Sequence, residues 1–119
     1  MKKNKISKNW INKQKRDIYV RQSKLEGYRS RAVYKLQEIQ TKFKVINNGM
    51  SIVDLGAAPG SWSEFISRKF KNIKLVAVDL KELDKIENVT HIEGDFTDEI
   101  TQNKIEKNFD EKIDLVVSD

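Results

Sequence analysis

From residue 50 onward, short apolar runs alternate with amphipathic ones: MSIVD, SWSEFISRKF, KLVAVD, NVTHIEGD, DEITQNKIEKNF and KIDLVVSD. The apolar runs have the length and the Val/Ile/Leu character of buried strands, and the segments between them have the spacing of helices. Such alternation predicts parallel strands joined by crossover helices, the α/β doubly wound class. Ahead of this pattern, Trp10, Ile11, Tyr19, Val20 and Leu25 are sparse apolar anchors in a polar segment that Gly27 closes in the manner of a helix C-cap. Ser30 is then placed to cap a second helix. In it Ala32, Val33, Leu36, Ile39 and Phe43 recur at helical spacing, and Asn47, Asn48 and Gly49 supply the following turn.

Each predicted strand closes on an aspartate: Asp54, Asp79, Asp95 and Asp119. In an open parallel sheet all strand C-termini lie on one edge, where a change in strand order opens a ligand crevice, so the four acids should line a common mouth. Aspartate is also frequent at strand ends and helix N-caps for local reasons, and for Asp54 alone that reading is as good.

A chain of 119 residues holds one small domain, with no internal repeat or low-complexity tract. No apolar run reaches the ~18 residues of a membrane span, and no apolar segment follows the lysine-rich start as in a signal peptide, so a cytoplasmic protein is expected. Cysteine is absent, which excludes disulfides, thiolate metal sites and a cysteine nucleophile. No metal site is expected, and the lone His91, with no partner ligands in view, is read as structural. The net charge of +5 conceals an asymmetry: residues 1–35 carry +10 and residues 36–119 carry −5. A cationic arm before an acidic body suits contact with a polyanion such as RNA or DNA. Arg29, Arg31 and Lys35 are the candidate RNA contacts in its last turns.

The stretch IVDLGAAPGSWSEF, residues 52–65, joins a strand to a helix through a loop with almost no side chains. Its backbone N–H groups and the helix N-terminus suit an anionic or hydrogen-bond-accepting group. A phosphate-binding P-loop would require a Lys after the second glycine, and Ser61 stands there. A dinucleotide fingerprint requires G-x-G-x-x-G, whereas the glycines here are Gly56 and Gly60, with Pro59 removing an N–H between them. S-adenosylmethionine fits better, because it has no phosphate and its sulfonium cation suits an acidic mouth. Asp79, at the end of the second strand, is placed to accept hydrogen bonds from a ribose diol. Asp95 and Phe96 are placed to hold the adenine amino group and flank its ring. Trp62 has two readings, a wall of the pocket or ordinary core packing.

Taken together, SKNW, GYRSRAVYKLQEIQ, DLGAAPGSW, VDL, EGDFTDE and DLVVSD resemble the FtsJ-like ribosomal RNA ribose 2′-O-methyltransferases, in order and over nearly the whole chain. The resemblance implies a Rossmann-like S-adenosylmethionine-dependent methyltransferase fold of about four parallel strands in the order 3-2-1-4. Residues 1–48 would form a basic, helical, RNA-contacting segment, and residues 49–119 part of the methyltransferase domain. It implies methylation of a uridine ribose in 23S ribosomal RNA of the large subunit. The family is known for a Lys-Asp-Lys-Glu tetrad, of which Lys35 and Asp119 match the first two members, and Gly60, Trp62, Asp79, Asp95 and Asp119 match cofactor-binding positions. Without the resemblance, Lys35 reads as a surface lysine able to pair with Glu38. Ser61 departs from a second glycine, which is tolerable if its φ is negative. The later lysine and glutamate have no counterpart, so the chain is expected to be a truncated form that binds cofactor weakly and transfers little methyl. The alternatives are a catalytically inactive RNA-binding remnant and, more distantly, a nucleotide-dependent oxidoreductase fragment.

Overall fold

The computed structural model describes residues 2–119, with side chains from residue 9 onward. Two helices, α1 (Lys2–Glu26) and α2 (Val33–Phe43), precede β1 (Ser51–Leu55), α3 (Ser61–Lys69), β2 (Lys74–Asp79), β3 (Val89–Glu93), α4 (Glu99–Lys107) and β4 (Leu115–Ser118); helices cross over between β1 and β2 and between β3 and β4, whereas β2 and β3 are joined by a connection without one. The strands form one sheet in the order β3-β2-β1-β4, all pairs parallel, as the sequence pattern and the resemblance led us to expect. In register, Ile52 lies beside both Leu75 and Leu115, and Asp54 beside both Ala77 and Val117.

Burial on both faces is why the central strands read as continuous apolar runs. One face carries Ile52 and Leu75 into a cluster with Val33 and Leu36 of α2 and with Trp62, Phe65 and Ile66 of α3. The other carries Val53, Val76 and Val78 against Ile92 and Ile105, the latter on α4. Tyr28, Val33, Leu36 and Ile46 thus share a core with β1 and α3, so α2 is packed onto the sheet. At the edge of the sheet β4 leaves Val116 half-exposed.

The N-terminal helices differ from the sequence expectation in three respects. The regular helix α2 starts later than expected, with Ala32 at its N-cap position and no side-chain bond from that residue; Ser30, two residues ahead, accepts the Ala32 N–H through its hydroxyl at 3.3 Å, and the same hydroxyl meets that of Ser61 at 2.9 Å. Phe43 is exposed at the last position of the helix, which ends there with Lys44 in the left-handed region. The anchors of α1 are exposed too, Leu25 at 88% and Trp10 at 63%. A helix of 25 residues is about 37 Å long and outreaches the body it packs on. It is attached through its C-terminal part: Tyr19 stacks on Tyr34 with ring centroids 5.3 Å apart, the Ser23 carbonyl accepts the Tyr28 N–H at 2.8 Å, and the Glu26 carbonyl accepts from Arg68 Nη1 at 3.3 Å. Gly27, with φ of 77°, turns the chain out of α1 as expected. Among the described residues no helix is long and apolar enough to cross a membrane.

The packing yields a direct contrast. Truncating Leu36 to Ala, which opens a cavity between α2 and the sheet, is expected to cost ~2–5 kcal/mol in urea unfolding. Phe43→Ser, on the same helix and in the same expected apolar stripe, should stay within ~0.5 kcal/mol of wild type.

Candidate functional site

The loop after β1 is shaped by backbone conformation. Gly56 and Gly60 have φ of 67° and 117°, where L side chains are strained. A Cβ on Gly60 would also lie 2.9 Å from Ile86 Cδ1 and 3.0 Å from Arg29 Nη1, side-chain ends that can shift, so the positive φ is the stronger demand for glycine. Asp79 reaches across from β2 to accept the Ala58 N–H through Oδ2 at 2.9 Å, while its Oδ1 accepts the Lys81 N–H at 2.8 Å. The carboxylate expected to hold a ribose diol therefore also fixes the glycine loop, with lone pairs left over on both oxygens. Ser61 is the first residue of α3 and is absent from the positive-φ positions, so a side chain is tolerated, and its hydroxyl joins that of Ser30.

The four strand-end acids share one rim, in graded environments. Asp54 is buried and accepts a hydrogen bond from Ser63 Oγ at 2.7 Å. Burial, reinforced by the charges of Asp119 and Asp79 and opposed by the Ser63 bond, pushes its carboxyl up to about 6. Asp95 is held below the usual carboxylate range by the hydroxyl and N–H of Thr97, at 2.7 and 2.9 Å. Phe96 beside it is exposed. Asp119 meets Lys35, 84 residues earlier, with Nζ 2.5 Å from Oδ1. That pair is solvent-accessible and contributes at most ~1 kcal/mol to folding, so its interest lies in its position. Its Asp119 member lines a cavity of about 160 Å³ together with Asp54, Gly56, Pro59, Ser61 and Trp62.

Trp62 is a core residue that also borders the inner cavity. Its ring packs in the core cluster and its Nε1 donates to the Ala32 carbonyl at 2.7 Å, while its edge lines the cavity. Arg31 and Lys35 line a second, outer cavity that also includes Asp119. Arg29, grouped with them from the sequence, is differently engaged. Its Nη1 donates to the carbonyls of Pro59 (3.0 Å) and Asp84 (2.7 Å), its Nη2 to that of Lys85 (3.0 Å), and its Nε lies 3.5 Å from Glu64 Oε2. One guanidinium thus ties the glycine loop to the β2–β3 connection. Glu64, buried on α3, also accepts the Arg29 N–H at 2.9 Å and pairs with Arg68 at 3.3 Å. Arg68 in turn lies over the Tyr28 ring, 4.8 Å from its centroid. Glu64 was not anticipated, since an acid in the first turn of a helix reads as an ordinary dipole partner. His91 Nε2 accepts the Ile86 N–H at 3.3 Å, a structural contact in the same connection.

Residues 28–119 match the sequence profile of the family described as FtsJ-like methyltransferase. The chain is 62% identical over its full length to the ribosomal RNA large subunit methyltransferase E of Pelagibacter ubique, spanning 59% of that protein. It is 47% identical to the protein of the same name from Pseudomonas fluorescens, spanning 58%. Among solved structures, a Plasmodium falciparum protein described as a ribosomal RNA methyltransferase superposes with a TM-score of 0.70 at 34% identity, over 77% of this chain and 56% of that one. The chain thus spans less than two thirds of the length of these relatives.

Two outcomes follow from the charges. Asp54 binds its proton more tightly folded than unfolded, so between pH 4 and 6 the native state holds more protons and stability falls as pH rises, by about 3 kcal/mol in all. Asp54→Asn keeps an acceptor for Ser63 and should be ~1–3 kcal/mol more stable than wild type at pH 8 but not at pH 4, read from urea unfolding at both. Arg29→Ala is expected to cost ~2–4 kcal/mol, because it leaves Glu64 short of a partner in a buried place. Exposed Arg31→Ala should cost under ~0.5 kcal/mol in the same assay.

Proposed function

The chain belongs to the FtsJ-like methyltransferase family, and on that premise we propose that it binds S-adenosylmethionine at the β1–α3 loop. In this reading it serves, in the cytoplasm, the 2′-O-methylation of a uridine ribose in 23S ribosomal RNA of the large subunit. The observation that carries the proposal is the meeting, at one sheet edge, of a bare-backbone loop, a buried acid and the Lys35–Asp119 pair. The names of the relatives support the RNA substrate.

The residues present suit the cofactor. Asp54, pushed up by burial and by two neighbouring carboxylates, marks a place short of positive charge, and a ligand carrying an ammonium and a sulfonium offsets that deficit. The inner cavity of about 160 Å³ is smaller than the ~300–1,000 Å³ of a pocket for a drug-sized molecule, so it takes the methionyl end. The open rim beyond it carries Asp79 for the ribose diol and Asp95 with Phe96 for the adenine. When bound, S-adenosylmethionine supplies a methyl group activated by the positive sulfur. Lys35, held by Asp119 at the mouth of the cavity, would orient the acceptor hydroxyl by donating a hydrogen bond to it. Such positioning is worth ~100-fold or more in rate where the displacement must be in line.

Isothermal calorimetry on the 119-residue chain tests the reading. S-adenosylmethionine should bind and NAD should not, and Asp79→Ala should weaken binding by ~10-fold or more through loss of the diol contact and of the loop's support. Heat from NAD alone would point to the oxidoreductase alternative. Transfer of tritium from labelled cofactor to large ribosomal subunits then distinguishes a methyltransferase from an inactive RNA-binding protein.

A further inference from the structure

We propose that Tyr19 and Arg31 form a binding site for an unpaired nucleotide adjoining the one presented to Lys35, with its base stacked against Tyr19 and its phosphate held by Arg31. The proposal rests on the reading of this chain as part of an RNA methyltransferase, and it names how the RNA strand enters. Three open spaces lie in series. The first is a groove of about 520 Å³ along α1 lined by Lys13, Lys15 and Arg16, and it ends at Tyr19 and Arg31. The second, of about 460 Å³, has Tyr19 and Arg31 at one side and Lys35 and Asp119 at the other. The third, the inner cavity, shares Ala32 and Asp119 with the second. A strand laid in the basic groove and continued toward the Lys35–Asp119 pair passes Tyr19 and Arg31, which line both spaces.

The chemistry at that threshold is specific. Lys13, Arg16 and Tyr19 fall at helical spacing on α1, so one face offers cations and then an aromatic ring. Tyr19 is 43% exposed, yet its ring is held by stacking on Tyr34 at an interplanar angle of 27°. A ring already fixed in place loses little freedom when a base adds to it. Arg31 is exposed and, among the described residues, its guanidinium makes no hydrogen bond or ion pair, unlike that of Arg29. Its fork is free for a phosphate. Stacking on a side chain requires a base that has left its own stack, so the site selects single-stranded or extruded nucleotides over duplex.

The test is fluorescence anisotropy of the 119-residue chain with a short labelled single-stranded RNA, across a salt series. Tyr19→Leu, which still covers Tyr34, should weaken binding ~5- to 100-fold without changing the salt slope, and Tyr19→Phe should stay within about twofold. Arg31→Ala should reduce the slope of log affinity against log salt by about one. Circular dichroism confirms that each variant retains the helices. Equal affinity of wild type and Tyr19→Leu for the single strand overturns this site and leaves the methyltransferase reading standing. Failure of the wild type to bind RNA at all overturns the site together with the RNA part of that reading.

Discussion

In a parallel sheet the chain cannot reverse at a strand end; each crossover carries it back over a face, so every strand delivers its C-terminus to the same edge. Here that constraint brings Asp54, Asp79, Asp95 and Asp119 to one rim, beside the N-terminus of α3. Like charges gathered this way repel, and the repulsion is legible in Asp54, whose carboxyl is pushed up to about 6 by burial and by its neighbours. A fold that accepted this cost with no ligand in prospect would gain from replacing Asp54 by an uncharged residue. Within the methyltransferase reading, the stored deficit is a selectivity device, because a cation entering the cavity relieves what an anion would aggravate.

The sheet supplies acids and bare backbone but no fixed cation at the rim. The segment before it provides both the cation and the restraint. Lys35 reaches Asp119 from α2, and Arg29 clamps the glycine loop to the β2–β3 connection through three carbonyl oxygens. Glu64 gathers Arg29 and Arg68 on one buried carboxylate, which cross-links the entry to α2, the helix α3 and, through Arg29, the loop between β1 and α3. Positions in the site are thereby set by rigid elements and not by the loop alone, which is what precise placement of a reacting group demands. The basic helix α1 adds a different function. Attached through its C-terminal part, it leaves its charged face open to a polyanion that approaches the rim from outside.

What the sequence alone determined is whatever depends on short-range physics. Apolar runs of strand length, helical spacing between them and glycines in a strand-to-helix turn are local properties, so the parallel α/β architecture, the loop at Gly56 and Gly60 and the rim of four acids were readable directly. The strand order and the membership of Lys35 and Asp119 in one tetrad were legible only because several motifs together resemble a known family; spacing alone leaves Lys35 a surface lysine, and their direct contact came from the fold. The tertiary structure decided which of several equivalent polar residues meets which partner across long separations. Arg29 and Arg31 are two positions apart and chemically identical, yet one is bound to carbonyls of the β2–β3 connection and the other faces an open cavity. Ser30 met Ser61, and Tyr19 found Tyr34, because such contacts depend on how packed elements are oriented, about which no local pattern carries information.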